Sequence, residues 1–237
     1  MQTQFGTRDI TLAQAKQQAS TVFLAKVFNW MAAGLALTGV VAYFVAASGL
    51  AQALIASPIF FILVLVELGL VLFLSARIDR MQPGTATGIF VGYSALNGVT
   101  LSIIFLAYTH TSIAATFLVT AGMFAAMAIY GLVTKRDLSG LGSFMFMGLI
   151  GIILASIVNI FLQSSSLYWA ISAIGVLVFV GLTAYDVQKI KNIGEEGIMN
   201  QGEAAIRKGA IIGALALYLD FINLFLMLLR FFGGSRD

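Results

Sequence analysis

Three acidic residues lie inside otherwise apolar stretches of this 237-residue chain. They are Glu67, Asp186 in the segment GLTAYDVQKI, and Asp220 in the segment ALALYLDFINLF. A carboxylate in hydrocarbon costs several kcal/mol unless it is paired, protonated or hydrated, so such residues usually mark a site for an ion or a proton. Asp186 and Asp220 lie on the last two apolar stretches and are the first candidates for chemistry.

The composition of the chain is that of an integral membrane protein. Hydrophobic residues make up 60% of the chain and charged residues 10%, and the mean hydropathy is +0.99. Each apolar stretch has about 20 residues, the length that an α-helix needs to cross a hydrocarbon core of about 30 Å. The stretches are continuous rather than alternating, which excludes the strands of a transmembrane β-barrel. We therefore predict an all-α membrane protein with seven transmembrane helices. The predicted helices occupy residues 28–47, 58–76, 87–108, 113–133, 141–162, 167–184 and 209–229.

Basic residues are distributed unequally between the two ends of the predicted helices. Eleven of the 13 Lys and Arg residues fall on the side that holds the N-terminus. Because basic residues are enriched in cytoplasmic loops, we predict a cytoplasmic N-terminus and an outward-facing C-terminus. The first 25 residues are polar and lack the pattern of a cleaved signal peptide. We predict a cytoplasmic segment at 1–25, a single seven-helix domain at 26–232 and a short outer tail at 233–237.

Residue types exclude several other kinds of site. The chain has no Cys, so it offers no disulfide, thiolate nucleophile or cysteine metal ligand. His110 is the only histidine and cannot build a zinc or haem site alone. The net charge of +3 reflects the basic loops and does not indicate nucleic-acid binding. We predict no cofactor.

The seventh predicted helix carries small residues on the same face as its aspartate. Gly209, Gly213, Ala216 and Asp220 follow one another at i, i+4, i+7 and i+11. Small side chains allow helices to approach closely, so we expect other helices rather than lipid around this face. Asn223, one turn after the aspartate, is more typical of an interhelical hydrogen bond than of an ion ligand.

Helix length gives the expected depth of each charge in the membrane. Asp186 lies about one turn inside the boundary set by the lysines that follow it, and Arg77 ends the second helix at the same level. The helix depths therefore allow a contact between these two residues. Asp220 lies about 16 Å above the start of its helix, level with Glu67. Straight helices would keep the two aspartates apart, whereas tilt or a re-entrant segment at 194–202 would bring them together.

Three long segments of the chain resemble the Bax inhibitor-1 family, and specifically its bacterial YccA-like branch. They are YGLVTKRDLSGLGSFMFMGLIGIILASIVNIFL from Tyr130, GLTAYDVQKIK from Gly181 and ALALYLDFINLFLMLLR from Ala214. The resemblance covers all seven helices, and it implies a fold in which six helices surround a central seventh. It also implies residence in a bacterial inner membrane.

The resemblance further implies a site and an activity. The two aspartates of the family motifs match Asp186 and Asp220, and in the family they form a diaspartyl pH sensor on a calcium-leak pathway. Two neighbouring carboxyl groups share a proton, and their protonation would decide whether they hold the helices together, recruit Arg77 or bind Ca²⁺. A second gate in the family matches Glu67 and Arg230. The implied partners are the bilayer, Ca²⁺ and protons.

Two other functions remain open from the sequence. One is a non-catalytic regulator that binds a membrane protease or stress and cell-death machinery, as other members of the family imply. The other is an intramembrane aspartyl protease, but these enzymes carry Gly-x-Gly-Asp, whereas Leu217 and Leu219 precede Asp220 here. Their Pro-Ala-Leu segment is also missing, since the only prolines are Pro58 and Pro83. We therefore predict that the chain is not an enzyme.

Overall fold

The computed structural model describes residues 2–234, with side chains from residue 14 onward. This part of the chain is almost entirely helical and forms no β-strand element. Short 3-10 helices occupy Ile78–Arg80 and Ile198–Asn200. The α-helices are α1 (Gln2–Ala47), α2 (Leu50–Ile55), α3 (Ile59–Arg77), α4 (Pro83–Leu101), α5 (Ile104–Ala107), α6 (His110–Val133), α7 (Ser139–Leu162), α8 (Ser165–Glu195) and α9 (Glu203–Phe232).

Within residues 2–234, seven helical segments are long and apolar enough to cross a membrane, which confirms the predicted count and the all-α class. They are α1 from Gln14 onward, α3 with the 3-10 helix that follows it, α4 together with α5, and each of α6 to α9. The third segment bends at Ser102, whose hydroxyl donates to the Val99 carbonyl at 2.7 Å. Such a bond from a side chain to its own backbone competes with the helical ladder and bends helices.

The first helix continues through the boundary predicted at residue 25. Phe23 and Val27 are both buried, and the Ser20 hydroxyl donates to the Lys191 carbonyl of α8 at 3.0 Å. The polar residues from 14 onward therefore form the lower part of one continuous helix that packs against α8.

The last helix is the most buried of the spanning helices. In the most apolar 18-residue stretch of each helix, 72% of the residues of α9 are buried, compared with 50% in α8 and 6% in α7. Four helices, α1, α4, α6 and α8, pack along α9, whereas α3 packs mainly on α4 and α7 mainly on α8. The expected ring of six helices around the seventh is therefore not confirmed. The structure instead shows a buried α9 with four close neighbours and two peripheral helices.

Glycines allow this close packing around α9. A Cβ at Gly209 would lie 2.5 Å from the Ile198 side chain, and one at Gly213 would lie 3.2 Å from Val27 of α1. On the other side of α8, a Cβ at Gly131 of α6 would overlap the backbone of Ala184. These contacts fix how α8 and α9 sit against their neighbours, and they set the level of the aspartates.

Candidate functional site

Antiparallel packing of α8 against α9 brings Asp186 and Asp220 together. Near one end of the helices Gly175 lies against Met227, and near the other Ile190 lies 3.4 Å from the Cβ position of Gly213. This register places Asp186 about one helical turn from Asp220 across the interface, within reach of two aspartate side chains. The two carboxyl groups are in side-chain hydrogen-bond contact.

The depth separation expected for straight helices is therefore wrong. The lysines that follow Asp186 do not mark the boundary of the helical bundle. The Lys191 side chain is instead only 31% exposed, and its ammonium group donates to the Leu132 carbonyl at the end of α6 at 3.0 Å. Helix α8 continues to Glu195, and α9 begins at Glu203, before its apolar stretch. Both aspartates thus lie well inside the helical bundle.

A cavity of about 780 Å³ lies beside the aspartates. Side chains of α3, α7, α8 and α9 line it, including Ala216 and Asn223, and most of its wall is apolar. Asp220 is 4% exposed, and its Oδ2 atom is buried without a hydrogen-bond partner among the described residues. Helices α3 and α7 flank the cavity without substantial contact with each other. The carboxyl pair therefore faces open space on one side of α9.

Gly213 and Asn223, which share α9 with Asp220, lie in different surroundings. Gly213 packs against α1 and α8 and does not line the cavity. The Asn223 amide donates to the Leu219 carbonyl of its own helix at 2.8 Å, and among the described residues no interhelical bond from its NH₂ group is found. The small face of α9 thus divides into a part that packs against other helices and a part, from Ala216 onward, that borders the cavity.

The expected contact between Asp186 and Arg77 is not formed. Arg77 is exposed at the end of α3, a helix that packs on α4 rather than on α8. Among the side chains described, Lys191 and Glu195 are the ion pair found within 4 Å. The cation that acts on Asp186 is instead Lys189, which lines the same cavity. The sequence carried a signal for it, because Lys189 lies three residues after Asp186 and therefore on the same helical face.

Glu67 lies in a different environment, between α3 and α4. Asn97 donates to its Oε2 atom at 3.2 Å, and Thr100 donates to its Oε1 atom at 2.7 Å. Asn97 also accepts a hydrogen bond from the Tyr218 hydroxyl of α9 at 3.0 Å, and that hydroxyl lies 2.6 Å from the Thr38 hydroxyl of α1. Two neutral side chains of α4 therefore donate to this carboxyl group, and Asn97 links it to the hydroxyl groups of Tyr218 and Thr38.

The expected pair of Glu67 and Arg230 is not formed either. Arg230 lies over the Tyr168 ring, 4.7 Å from its centroid, and donates to the Ser172 hydroxyl at 3.4 Å. Tyr218, which is linked to Glu67 through Asn97, precedes Arg230 by roughly 18 Å of helix. An arginine side chain does not span that distance, so each residue finds its partners locally.

The described residues offer few ligands for a metal ion at this site. Among the described residues, no three His, Cys, Asp or Glu side chains are close enough to hold a metal ion. The pair offers two carboxyl groups, whereas Ca²⁺ takes about six to eight oxygen ligands. Water in the cavity would have to supply the remaining ligands.

Comparison with known proteins identifies the family of the chain. The family model described as "Inhibitor of apoptosis-promoting Bax1" matches residues 20–237. The chain is 55% identical over 216 residues to the inner membrane protein YbhL of Escherichia coli K12, covering 90% of this chain and 92% of that protein. It is 46% identical over 233 residues to an uncharacterized protein of Borreliella burgdorferi, covering 96% and 99% of the two chains. It is also 41% identical over 217 residues to an uncharacterized membrane protein of Streptococcus pyogenes serotype M1, covering 90% and 93%. None of these names describes an enzyme. The chain is a multi-pass membrane protein that belongs to the Bax inhibitor-1 family.

Proposed function

We propose that this protein is a pH-sensitive, Ca²⁺-permeable leak channel of the inner membrane, with Asp186 and Asp220 as its ion and proton site. The observation that carries this proposal is the contact between the two carboxyl groups across α8 and α9, beside a cavity of about 780 Å³. The resemblance of the segments around Asp186 and Asp220 to the motifs of the family also supports it.

The chemistry of the pair suits a proton-sensitive site. Two carboxyl groups in contact titrate as a unit and share a proton. The shared proton holds α8 and α9 together at this level. Loss of that proton leaves repelling charges that a hard cation such as Ca²⁺ neutralises through its preference for oxygen ligands. Only a few protein ligands are present, so the cation binds weakly enough to leave again, as conduction requires.

The charged residues around the pair bear on the orientation of the protein and on its gating. The excess of basic residues on the N-terminal side indicates that this side faces the cytoplasm. Arg77 lies on the surface in this conformation, so it becomes a partner of Asp186 only after α3 moves toward α8. Arg230 stays on Tyr168 and Ser172, and Glu67 stays within its own hydrogen bonds, so their gate would form only in another conformation.

Calcium flux into liposomes tests this function directly. The purified protein is reconstituted with a Ca²⁺ dye inside the vesicles, and initial rates are measured across a range of external pH. We expect wild-type flux to change with pH, and we expect Asp220→Asn to lower the flux about tenfold, a barrier change of about 1.4 kcal/mol, and to abolish its pH dependence. Equal, pH-independent flux for both proteins would refute the proposal.

A second candidate function is a non-catalytic regulator of another membrane protein. The matched family is described as an inhibitor of another protein, which favours such a role. Affinity purification that retains a membrane protease, together with no measurable Ca²⁺ flux, would support the regulator. Contact between two aspartates would also suit an aspartyl protease, and cleavage of a transmembrane substrate would reveal one.

A further inference from the structure

Tyr185 and Lys189 form a shared wall between two cavities. The larger cavity holds the aspartate pair, and a smaller one of about 260 Å³ lies toward the end of α8, where Asn192 and Glu196 line it. Tyr185 and Lys189 line both cavities. These two residues therefore separate the cavity that holds the aspartates from the smaller cavity at the end of α8.

The tyrosine ring is held in place by the neighbouring helix. A Cβ at Gly142 of α7 would lie 2.5 Å from the Tyr185 ring, so the ring packs directly on the glycine backbone. The Lys189 ammonium group lies 5.9 Å from the centroid of the same ring. A cation within about 6 Å of an aromatic face is attracted to it. The ring is a steric wall, and the lysine places a positive charge over it.

The position of this charge bears on any cation that approaches the aspartates. Lys189 is three residues from Asp186, acts on its carboxyl group, and is itself exposed. At the partly desolvated edge of a protein, two unit charges several ångströms apart interact by a few kcal/mol. An entering cation is therefore repelled by Lys189 before it reaches the carboxyl groups.

We propose that Tyr185 and Lys189 form the barrier between the aspartate pair and the water at this end of the bundle, and that Lys189 makes the barrier selective against cations. This proposal depends on the proposed leak function only in naming Ca²⁺ as the ion that passes. Access to the cavity can be measured without any ion flux. In the leak, Lys189 would limit the Ca²⁺ rate, and Tyr185 would limit the size of what passes.

Thiol labelling tests the barrier, because the natural chain has no cysteine. Ala216→Cys places a single thiol in the wall of the larger cavity. In membrane vesicles with the α8 end accessible, its modification rate is measured with two membrane-impermeant methanethiosulfonates of similar size, one carrying a quaternary ammonium group and one a sulfonate. Each rate is compared in the presence and absence of Lys189→Gln.

We expect Lys189→Gln to raise the ratio of cationic to anionic labelling about tenfold, a change of about 1.4 kcal/mol in relative barrier. Lys135→Gln is the matched control, since it removes one charge from the same end of the bundle but lines neither cavity. Tyr185→Ala should raise the rates of both reagents together, while Tyr185→Phe, which keeps the ring, should leave them unchanged.

Three results would overturn the barrier. They are an unchanged ratio in Lys189→Gln, an equal change in Lys135→Gln, and a thiol that neither reagent reaches in any variant. The outcome is separable from that of the proposed function. Altered labelling in the absence of Ca²⁺ flux would support the barrier and refute the leak. Ca²⁺ flux with unaltered labelling would support the leak and refute the barrier.

Discussion

Glu67 and Asp220 are both buried carboxyl-bearing residues, with 9% and 4% of their surface exposed, but their surroundings differ. Each Glu67 oxygen accepts a hydrogen bond from a neutral side chain of α4. Asp220 instead contacts another carboxyl group, leaves its Oδ2 atom without a partner and borders a cavity. One acid is enclosed by donors, and the other is left with unused bonding capacity.

This difference distinguishes an acid whose hydrogen bonds are complete from one that can still bind a ligand, as the proposed role of Asp220 requires. Asn97 joins Glu67 to Tyr218, so the network connects α3 through α4 to the buried α9. A buried polar group with all its partners specifies packing, whereas one with missing partners marks a place where a ligand, proton or ion can complete the bonding. The same carboxyl chemistry thus lies in two different environments on two faces of the bundle.

The largest expected effect is on stability, at the centre of the Glu67 network. Asn97→Leu removes a donor to Glu67 and an acceptor from Tyr218 and leaves both groups buried without that partner. We expect a loss of about 2–4 kcal/mol in the free energy of unfolding. Denaturant titration in detergent micelles measures it.

Asn223→Leu is the control for that change. The Asn223 amide donates only to the carbonyl of Leu219 in its own helix, so its loss should cost less than about 1 kcal/mol. Equal destabilisation by the two variants would show that Glu67 is no more dependent on its partners than an ordinary polar residue.

The next effect contrasts the two acids in function. Asp220→Asn should lower Ca²⁺ flux in liposomes about tenfold, whereas Glu67→Gln should stay within about twofold of wild type. The reason is that Glu67 lines no part of the cavity beside the aspartates. Loss of flux in Glu67→Gln, with normal stability, would make Glu67 part of the ion pathway and remove the distinction.

A smaller effect is expected for the link to α9. Tyr218→Phe removes the hydroxyl that contacts Thr38 and Asn97 but keeps the ring between Phe90 and Tyr93. We expect a destabilisation of about 1 kcal/mol. A double-mutant cycle with Thr38→Val measures their coupling, and strictly additive effects would show that the two hydroxyl groups do not interact.

The smallest effect is expected for an exposed acid outside the spanning helices. The Ser139 amide donates to Asp137 at 2.9 Å, and the hydrogen bonds from Ser139 lower the pKa of this carboxyl group below its usual 3.8. The resulting stability is present above pH 3.8 and is lost as the pH falls through the lowered pKa. Thermal midpoints of wild type and Asp137→Asn should therefore differ slightly at pH 7 and converge in strong acid. A constant difference at all pH values would contradict this.

The sequence by itself determined the membrane class, the seven spans and the two aspartates as the best lead. These follow from local properties, because a continuous apolar run of about 20 residues and a charge inside it can be read without any neighbour. The proximity of Lys189 to Asp186 could also be predicted from the sequence, because the two residues are three positions apart on one helix.

Only the tertiary structure decided which groups meet. The contact of Asp186 with Asp220 depends on the level at which α8 packs against α9, which contacts such as that of Gly175 with Met227 set. Glu67 accepts hydrogen bonds from neutral side chains of α4, and Arg230 contacts Tyr168 and Ser172. Hydropathy fixes how many helices cross the membrane, but it carries no information on their relative height and rotation. Those depend on how small and large side chains interlock between helices.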